Sequence, residues 1–349
     1  MNNTKSYSHA VTKRTFRDLL KKVLAGSALL ITVATANAQI NLQWAKNTGG
    51  TSSDFSYATT VDATGNVYIT GTFYGTADFD PGTGVANLTA IDVLGDIFVA
   101  KYDNNGNYMW AKRMGGNGSD MGNSIAVDAA GNVYTTGFFW STVDFDPGPG
   151  VANLTSGGYA DIFVSKLDSN GNYVWAKSMA GTGTRDDYGN SITLDASGYL
   201  YITGYFENTV DFDPGAGVAN LTSAGGTDFF VSKLDNNGNY VWAKNIGGTS
   251  NDEGKSITID AAGNIYTTGS FIGTVDFDPG SGATTLSSSG GNNVFVSKLD
   301  NNGDYIWAKS FKGTKGYSIA IDGAGNVYTT GYFSGTGDFD PGADRKSVV

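Results

Sequence analysis

The chain has 349 residues, with 22 lysine and arginine residues against 33 aspartate and glutamate residues, 50 glycines, one histidine and no cysteine. The absence of cysteine excludes disulfides, thiolate nucleophiles and metal sites with cysteine ligands. The single histidine, His9, lies in an N-terminal segment that we expect to be removed, so catalysis by imidazole is also excluded from the mature protein.

Residues 1–38 are typical of an export signal. Residues 1–22 carry six basic residues and one acidic residue, and the apolar run from Val23 to Ala38 ends in the cleavage-like triplet Ala36, Asn37, Ala38. The run is shorter than the roughly 20 residues that span a bilayer, which argues against a membrane helix. We therefore expect a secreted or outer-surface protein with no membrane span in the mature chain.

The net charge that remains after removal of residues 1–38 argues against some classes of binding partner. Removal of residues 1–38 leaves 16 basic and 32 acidic residues, a net charge of −16. Such a surface repels nucleic acid and anionic membranes, so neither is predicted as a partner.

The rest of the sequence is an internal repeat of about 65 residues. Its two markers are a WAK triplet and a DFDPG motif. The triplets begin at Trp44, Trp110, Trp175, Trp242 and Trp307, and the prolines of the motif are Pro81, Pro147, Pro214, Pro279 and Pro341.

Each repeat contains four predicted strands, which in the second repeat are Ser124–Asp128, Val133–Phe139, Asp161–Asp168 and Tyr173–Met179. The runs are rich in β-branched and aromatic residues and are bounded by Gly, Asn and Asp, a pattern typical of strands joined by hairpins. Four antiparallel strands per repeat predict an all-β fold, a β-propeller built of four-stranded blades.

The segments SIAVDAAGNVYTTG and DIFVSKLDSNGNYVWAKSM resemble the SBBP beta-propeller repeats of secreted bacterial proteins, and more distantly the NHL-type propellers. The resemblance extends from Gln39 to Gly342 and implies a propeller fold, but it implies no catalytic motif. The DFDPG segment departs from the usual repeat because it is inserted between the second and third strands.

We expect a repeat domain over residues 39–343, with blades at about 56–113, 123–179, 190–245 and 256–310 and a partial fifth blade at 317–343. The partial blade predicts that this is a truncated part of a larger propeller. Residues 344–349 break the repeat pattern and are predicted to be a non-native tail.

The insertion predicts an extra hairpin that turns at Pro147 to Gly150. In an extended DFD segment the phenylalanine points to one side and the aspartates to the other, so we expect Phe79, Phe145, Phe212, Phe277 and Phe339 to pack into the blades. The aspartates have three interpretations: hydrogen bonding within the turn, calcium binding, or catalysis by a carboxylate pair. The candidate calcium ligands are Asp78, Asp80, Asp144, Asp146, Asp211, Asp213, Asp276 and Asp278.

The tryptophans divide into two groups. Those in the WAK triplets recur at one position of the fourth strand, which favours packing between blades over sugar stacking. Trp140 lies outside the repeat, beside the insertion, and is the best single candidate for a ligand contact.

These observations favour a binding or structural module at the cell surface, with a glycan or protein partner, over an enzyme. The alternative is a secreted carbohydrate-active hydrolase or lyase that uses aspartate carboxylates. A non-repeated acidic residue near the central channel would favour that alternative, and the sequence indicates none.

Overall fold

The computed structural model describes residues 42–181, 185–288 and 290–334 and Phe339. The predicted export segment, residues 1–38, and the predicted tail, residues 344–349, lie outside the described residues. The described residues form strands and turns, and none of them belongs to a helix that could cross a membrane. Every strand pair is antiparallel, as the hairpin pattern predicted.

The strands follow the repeat in chain order. A short strand, β1 (Gly49–Gly50), precedes the first unit, which contains β2 (Phe55–Val61), β3 (Val67–Phe73), β4 (Thr76–Asp78), β5 (Asn87–Thr89), β6 (Asp96–Tyr102) and β7 (Tyr108–Gly116). The second unit contains β8 (Met121–Val127), β9 (Val133–Asp144), β10 (Asn153–Leu167) and β11 (Tyr173–Gly181).

The third unit contains β12 (Tyr188–Leu194), β13 (Leu200–Phe206), β14 (Thr209–Asp211), β15 (Asn220–Thr222), β16 (Asp228–Leu234) and β17 (Tyr240–Gly248). The fourth contains β18 (Glu253–Ile259), β19 (Ile265–Phe271), β20 (Thr274–Asp276), β21 (Thr285–Ser287), β22 (Asn293–Leu299) and β23 (Tyr305–Lys312). The last described strands are β24 (Lys315–Ile321) and β25 (Val327–Tyr332).

In each of the four complete units the strands pair in sequence order, as the fourth unit shows with β18-β19-β22-β23. The turns between third and fourth strands use glycine where the backbone has positive φ, for example Gly106 at φ 75°. The first strands of successive units lie side by side, since the Asn123 side chain donates to the Gly189 carbonyl at 3.0 Å and Asn190 repeats this contact with Gly254 at 2.7 Å. No sheet among the described residues closes on itself.

The core lies on the second and third strands and under the inserted hairpin. The predicted burial of the hairpin phenylalanines is confirmed for Phe79, Phe145, Phe212 and Phe277, whose exposed fractions are 2% or less. Phe145, for example, contacts Phe139 edge-on at 5.6 Å and Phe163 at 5.0 Å between ring centroids. The hairpin is therefore part of the hydrophobic core of its unit.

The inserted hairpin also joins neighbouring units, which the sequence did not predict. In the first three units the end of the fourth strand pairs with the hairpin of the next unit, as in Gly115↔Asp144 and Gly116↔Val143. The same pairing recurs at β11 with β14, at β17 with β20 and at β1 with β4. The hairpin thus links two units through backbone hydrogen bonds.

The WAK tryptophans make a second link between units, as predicted. The indole N–H of Trp110 donates to the Ser169 carbonyl in the turn of the following unit at 3.2 Å, and Trp175 does the same to Asn236 at 3.3 Å. Lys101 donates to the same Ser169 carbonyl at 3.3 Å. These half-buried tryptophans are structural contacts between consecutive units.

Candidate functional site

The aromatic pair Trp140 and Tyr159 is the most distinctive exposed feature of the end of the molecule that carries the inserted hairpins. Trp140 is 41% exposed and Tyr159 is 48% exposed, and their rings stack at 6.0 Å between centroids with an interplanar angle of 17°. Stacked aromatic side chains offer a large and rigid contact area. The sequence singles out Trp140 as a candidate ligand contact, which stays a prediction, and gives no indication of its partner Tyr159.

A loop of the first unit extends this surface. Ile91, Val93 and Leu94 are exposed, and between them Asp92 accepts a hydrogen bond from the Gly118 backbone at 2.8 Å. Gly118 in turn lies against Trp140, since a Cβ atom at this glycine would be 2.6 Å from the Trp140 carbonyl oxygen. We call Ile91, Val93, Leu94, Trp140 and Tyr159 the aromatic patch.

The patch is confined to two units, although the fold repeats. The residues aligned with Trp140 are Tyr74, Glu207 and Ile272. The segments aligned with residues 156–160, which include Tyr159, are SAGGT in the third unit and SSGGN in the fourth. The third and fourth units therefore carry small residues where the second unit carries Tyr159, and neither has an aromatic residue at the position of Trp140. A non-repeated surface on a repeated scaffold is the signal that could have identified Tyr159.

Two buried aspartates hold the backbone beneath the patch. Asp120 accepts hydrogen bonds from the backbone N–H groups of Gly116 at 3.0 Å and Trp140 at 3.1 Å. Asp96 accepts from the Ile91 N–H at 3.0 Å and from the Arg113 guanidinium at 3.2 Å. Both aspartates are fully buried, so they position the patch and cannot contact a ligand directly.

The electrostatics of these aspartates follow from their burial. Loss of hydration raises the pKa of Asp120 to about 8, against the opposing effect of two backbone N–H donors. Burial also raises the pKa of Asp96 to about 6. The Ile91 N–H and the Arg113 guanidinium oppose this rise because they favour the charged form. The pKa values of the equivalent aspartates of later units, Asp187 and Asp252, are raised by burial to about 8 and about 7.

The backbone next to Trp140 is strained. Ser141 has φ 70°, a left-handed conformation that side chains disfavour, and its N–H donates to the Ser156 hydroxyl at 2.8 Å. Two other units place glycine here, Gly75 and Gly273, which adopt this conformation without a Cβ clash. The second unit thus keeps a strained residue at this position, as the third unit does with Asn208 at φ 67°.

The hairpin aspartates are engaged in their own turns. Asp144 accepts from the N–H groups of Asp146 at 3.0 Å and Ala152 at 2.8 Å, and Asp146 accepts from Gly148 at 2.7 Å. The same bonds recur at Asp78 and Asp80, Asp211 and Asp213, and Asp276 and Asp278. One oxygen of each carboxylate is therefore committed to the turn, the first of the three interpretations.

Calcium normally takes six to eight oxygen ligands. Within the described part of the chain, no group of three or more Asp, Glu, His or Cys side chains is arranged to hold a metal ion. Each hairpin supplies two carboxylates, so a calcium ion there would need backbone or water oxygens to complete its shell. Calcium binding by the hairpin aspartates stays a prediction.

Comparison with curated proteins finds partial relatives. The chain is 27% identical over 225 residues to the "Uncharacterized WD repeat-containing protein L264" of Acanthamoeba polyphaga mimivirus, a match that covers 57% of the chain and 16% of that protein. It is 24% identical over 171 residues to the "Regulatory protein FlaEY" of Caulobacter vibrioides, which covers 48% of the chain and 17% of that protein. The chain thus matches about a sixth of the length of each relative.

Among solved structures, a protein of unknown function from Bacteroides caccae covers 74% of the chain and 82% of its own length, with 9% identity and a TM-score of 0.30. A family comparison matches residues 110–145, 241–270 and 309–339 to the SBBP family, described as "Beta-propeller repeat". All three segments include the WAK or second-strand elements on which the sequence resemblance was based. The chain therefore carries repeats of the SBBP beta-propeller repeat family, as its sequence predicted.

Proposed function

We propose that the chain is a protein-binding module and that the aromatic patch is its contact surface. The observation that carries this proposal is the exposed stack of Trp140 on Tyr159 beside Ile91, Val93 and Leu94. Groups of exposed apolar side chains mark interaction sites, and tryptophan and tyrosine dominate the binding energy of many protein interfaces. A propeller-repeat family and a WD-repeat-containing relative support a binding or structural role.

The two buried aspartates beneath the aromatic patch, Asp96 and Asp120, suit it to this role because they hold its backbone rigidly. Asp120 fixes the backbone of Trp140, and Asp96 fixes that of Ile91, so the patch is preorganised before a partner arrives. Preorganisation lowers the entropy cost of association. With residues 1–38 as an export signal, the partner would be met outside the cell.

A glycan is the second candidate ligand. Two nearly parallel aromatic rings at an interplanar angle of 17° offer flat faces on which a sugar ring can stack. The hydrolase alternative gains no support from the described residues, because the carboxylates on which it depends hold the hairpin turns.

The test first selects ligands that bind the purified chain and then measures how substitutions in the aromatic patch change their affinity. The purified chain is used as bait for a peptide display library and, separately, for a glycan array, and the affinity of each selected ligand is measured. Trp140→Ala and Tyr159→Ala are expected to weaken binding by about tenfold or more. Val174→Ala, a change at a residue that is 44% exposed on β11, is the matched control and should bind as the unmodified chain does.

The two ligand classes are distinguished by which selection yields patch-dependent ligands. Peptide ligands that are lost in Trp140→Ala would support the protein-binding proposal, and glycans lost in the same variant would support the second candidate. Ligands from both selections that bind the Trp140→Ala and Tyr159→Ala variants with unchanged affinity would contradict both.

A further inference from the structure

A lysine, a tyrosine and an asparagine meet at the junction between the third and fourth units. Lys233 lies on β16 and Tyr201 on β13 of the third unit, and Asn301 lies in the turn between β22 and β23 of the fourth. The Asn301 side-chain oxygen, Oδ1, contacts the Lys233 ammonium group and accepts a hydrogen bond from the Tyr201 hydroxyl at 3.1 Å. Two side chains of one unit therefore converge on a single amide of the next.

The surroundings of Lys233 favour the uncharged amine. The residue is 6% exposed, and burial lowers the pKa of its ammonium group, with the charge of Asp195 opposing this effect. The uncharged amine is the form of lysine that attacks a carbonyl carbon, and removal from water is one way in which proteins activate it. Lys233 therefore has the character of a nucleophile.

The Tyr201 hydroxyl is placed to stabilise charge on the amide oxygen. It lies within hydrogen-bond distance of both Asn301 Oδ1, at 3.1 Å, and Asp195 Oδ2, at 3.0 Å. Burial and the charge of Asp195 raise the pKa of Tyr201, so the hydroxyl keeps its proton. A preorganised donor on a carbonyl oxygen lowers the barrier to attack on the carbonyl carbon.

The Asn301 amide is also held by its own unit. A Cβ atom at Gly263 would lie 3.7 Å from Asn301 Cγ and 3.8 Å from Asn301 Nδ2, so the amide packs against this glycine. Asn301 is exposed as a residue, but its Oδ1 faces the buried Lys233. Holding two reacting groups side by side replaces a bimolecular encounter and so favours their reaction.

We propose that Lys233 and Asn301 form an intramolecular isopeptide bond that joins the third unit to the fourth. The uncharged Lys233 amine attacks Asn301 Cγ, the Nζ–Cγ bond forms, and the Cγ–Nδ2 bond breaks. One proton passes from Nζ to Nδ2, so that one molecule of ammonia leaves and neither residue is oxidised or reduced. The Tyr201 hydroxyl stabilises Oδ1 during the attack, and no co-reactant is required.

The bond would act as a covalent clamp between units. The two residues are 68 positions apart, so the cross-link would close a long loop of the chain. A cross-link of this kind restricts the unfolded chain and thereby stabilises the folded one. This chain has no cysteine, so disulfides cannot provide such a link.

The other junctions provide comparisons within the same chain. Lys101 and Lys166 are the equivalents of Lys233, and they donate to the backbone carbonyls of Ser169 at 3.3 Å and Asn236 at 3.2 Å. Ser169 has no side-chain amide, so the first junction cannot form the bond. Within the described part of the chain, the Asn236 side chain accepts no hydrogen bond from Lys166, so we expect no bond at the second junction.

Mass spectrometry of the purified, denatured full chain tests the proposal. The mass should fall short of the mass calculated from the sequence by one molecule of ammonia. Trypsin should fail to cleave after Lys233, and the digest should contain a branched peptide that joins residues 186–244 to residues 299–309. Because other reactions of asparagine also release ammonia, the branched peptide is the deciding observation.

Four variants assign the bond to these residues. Lys233→Arg keeps the positive charge but has no primary amine, and Asn301→Ser introduces the residue of the first junction, so each should abolish the branched peptide. Tyr201→Phe removes the donor to Oδ1 and should lower the cross-linked fraction. Asn302→Ser, at the next position of the same turn, is the matched control and should cross-link as the unmodified chain does.

Complete cleavage after Lys233 in the unmodified chain, with the two peptides recovered separately, would overturn the proposal. This result needs no variant and so does not depend on whether any variant folds. A branched peptide that persists in Lys233→Arg or Asn301→Ser would also overturn it, because the bond would then involve other residues. The result leaves the aromatic patch untouched, since the patch lies on the first and second units.

Discussion

Stability should fall as the pH rises from about 5 to about 9, because aspartates are buried between the units. Asp187 is 2% exposed, and its Oδ1 accepts the Glu207 N–H at 2.9 Å. Burial, with the neighbouring charges of Asp161, Asp186 and Glu207, raises its pKa to about 8. The unfolded chain has an ordinary aspartate pKa of about 4, so between these values the folded state holds a proton that the unfolded state has released.

The direction and the size of the change in stability follow from the difference between the folded and unfolded pKa values of Asp187. A group with a raised pKa contributes its full stability below the unfolded value and loses it as the pH rises through the folded value. At about 1.4 kcal/mol for each pH unit between the two pKa values, the upper limit for Asp187 is about 6 kcal/mol. The pKa values of Asp120 and Asp252 are raised as well, so these aspartates also lose stability as the pH rises. The fall in the stability of the whole chain therefore has contributions from several units.

The assay is thermal and urea unfolding of the unmodified chain and of Asp187→Asn at several pH values from 5 to 9. Asparagine keeps an acceptor for the Glu207 N–H but does not ionise. The variant should therefore lose less stability across this pH range and be more stable than the unmodified chain at pH 9. Asp304→Asn, a change at a carboxylate that is 69% exposed, is the control and should follow the unmodified chain. A flat or rising stability between pH 5 and 9, or a parallel fall in Asp187→Asn, would refute the reasoning.

Further predictions concern packing and turns. Trp175→Ala should lower the free energy of unfolding by about 2–4 kcal/mol, less than for a fully buried tryptophan because this ring is half-buried. Phe145→Ala should lower it by about 3–5 kcal/mol because that ring is fully buried. Urea unfolding measures both, and losses under about 1 kcal/mol would contradict the packing. Ser141→Gly should stabilise by about 1 kcal/mol in the same assay, and a loss of stability would argue against strain. The turn role of Asp144 and Asp146 predicts equal melting shifts in calcium, magnesium and ionic-strength-matched sodium salts, whereas a calcium-specific rise that Asn substitution at both removes would assign them to a metal.

Much of the local structure could be predicted because every signal is repeated. The alternation of apolar residues, the Asn-Gly turns and the DFDPG hairpin each appear in every complete unit, and the buried Phe145 followed from the two-residue period of a strand. The hairpin's pairing with the preceding unit could not be predicted, because local sequence specifies that a strand forms but not which distant edge it joins.

The candidate site was only partly predictable. Trp140 stood out because it breaks the repeat, but Tyr159 lies in the irregular part of β10 between Thr155 and Ala160, where the glycines give no strand signal in the sequence. The burial of Asp96 depends on the close approach of Gly115, where a Cβ would lie 2.1 Å from the carboxylate carbon. From sequence alone, an aspartate before a strand is typical of a turn, so only the folded arrangement identifies its supporting role.

The most direct measurement for the proposed binding function is a hydrogen-exchange footprint of the chain with a selected protein ligand bound. A ligand on the aromatic patch should slow exchange at residues 90–95, 117–121, 138–142 and 157–161, where the patch and its buried aspartates lie. It should leave the turns at the opposite end of the strands, such as residues 103–107, unchanged. Protection at those turns with no change at Trp140 and Tyr159 would contradict the assignment of the patch as the binding surface.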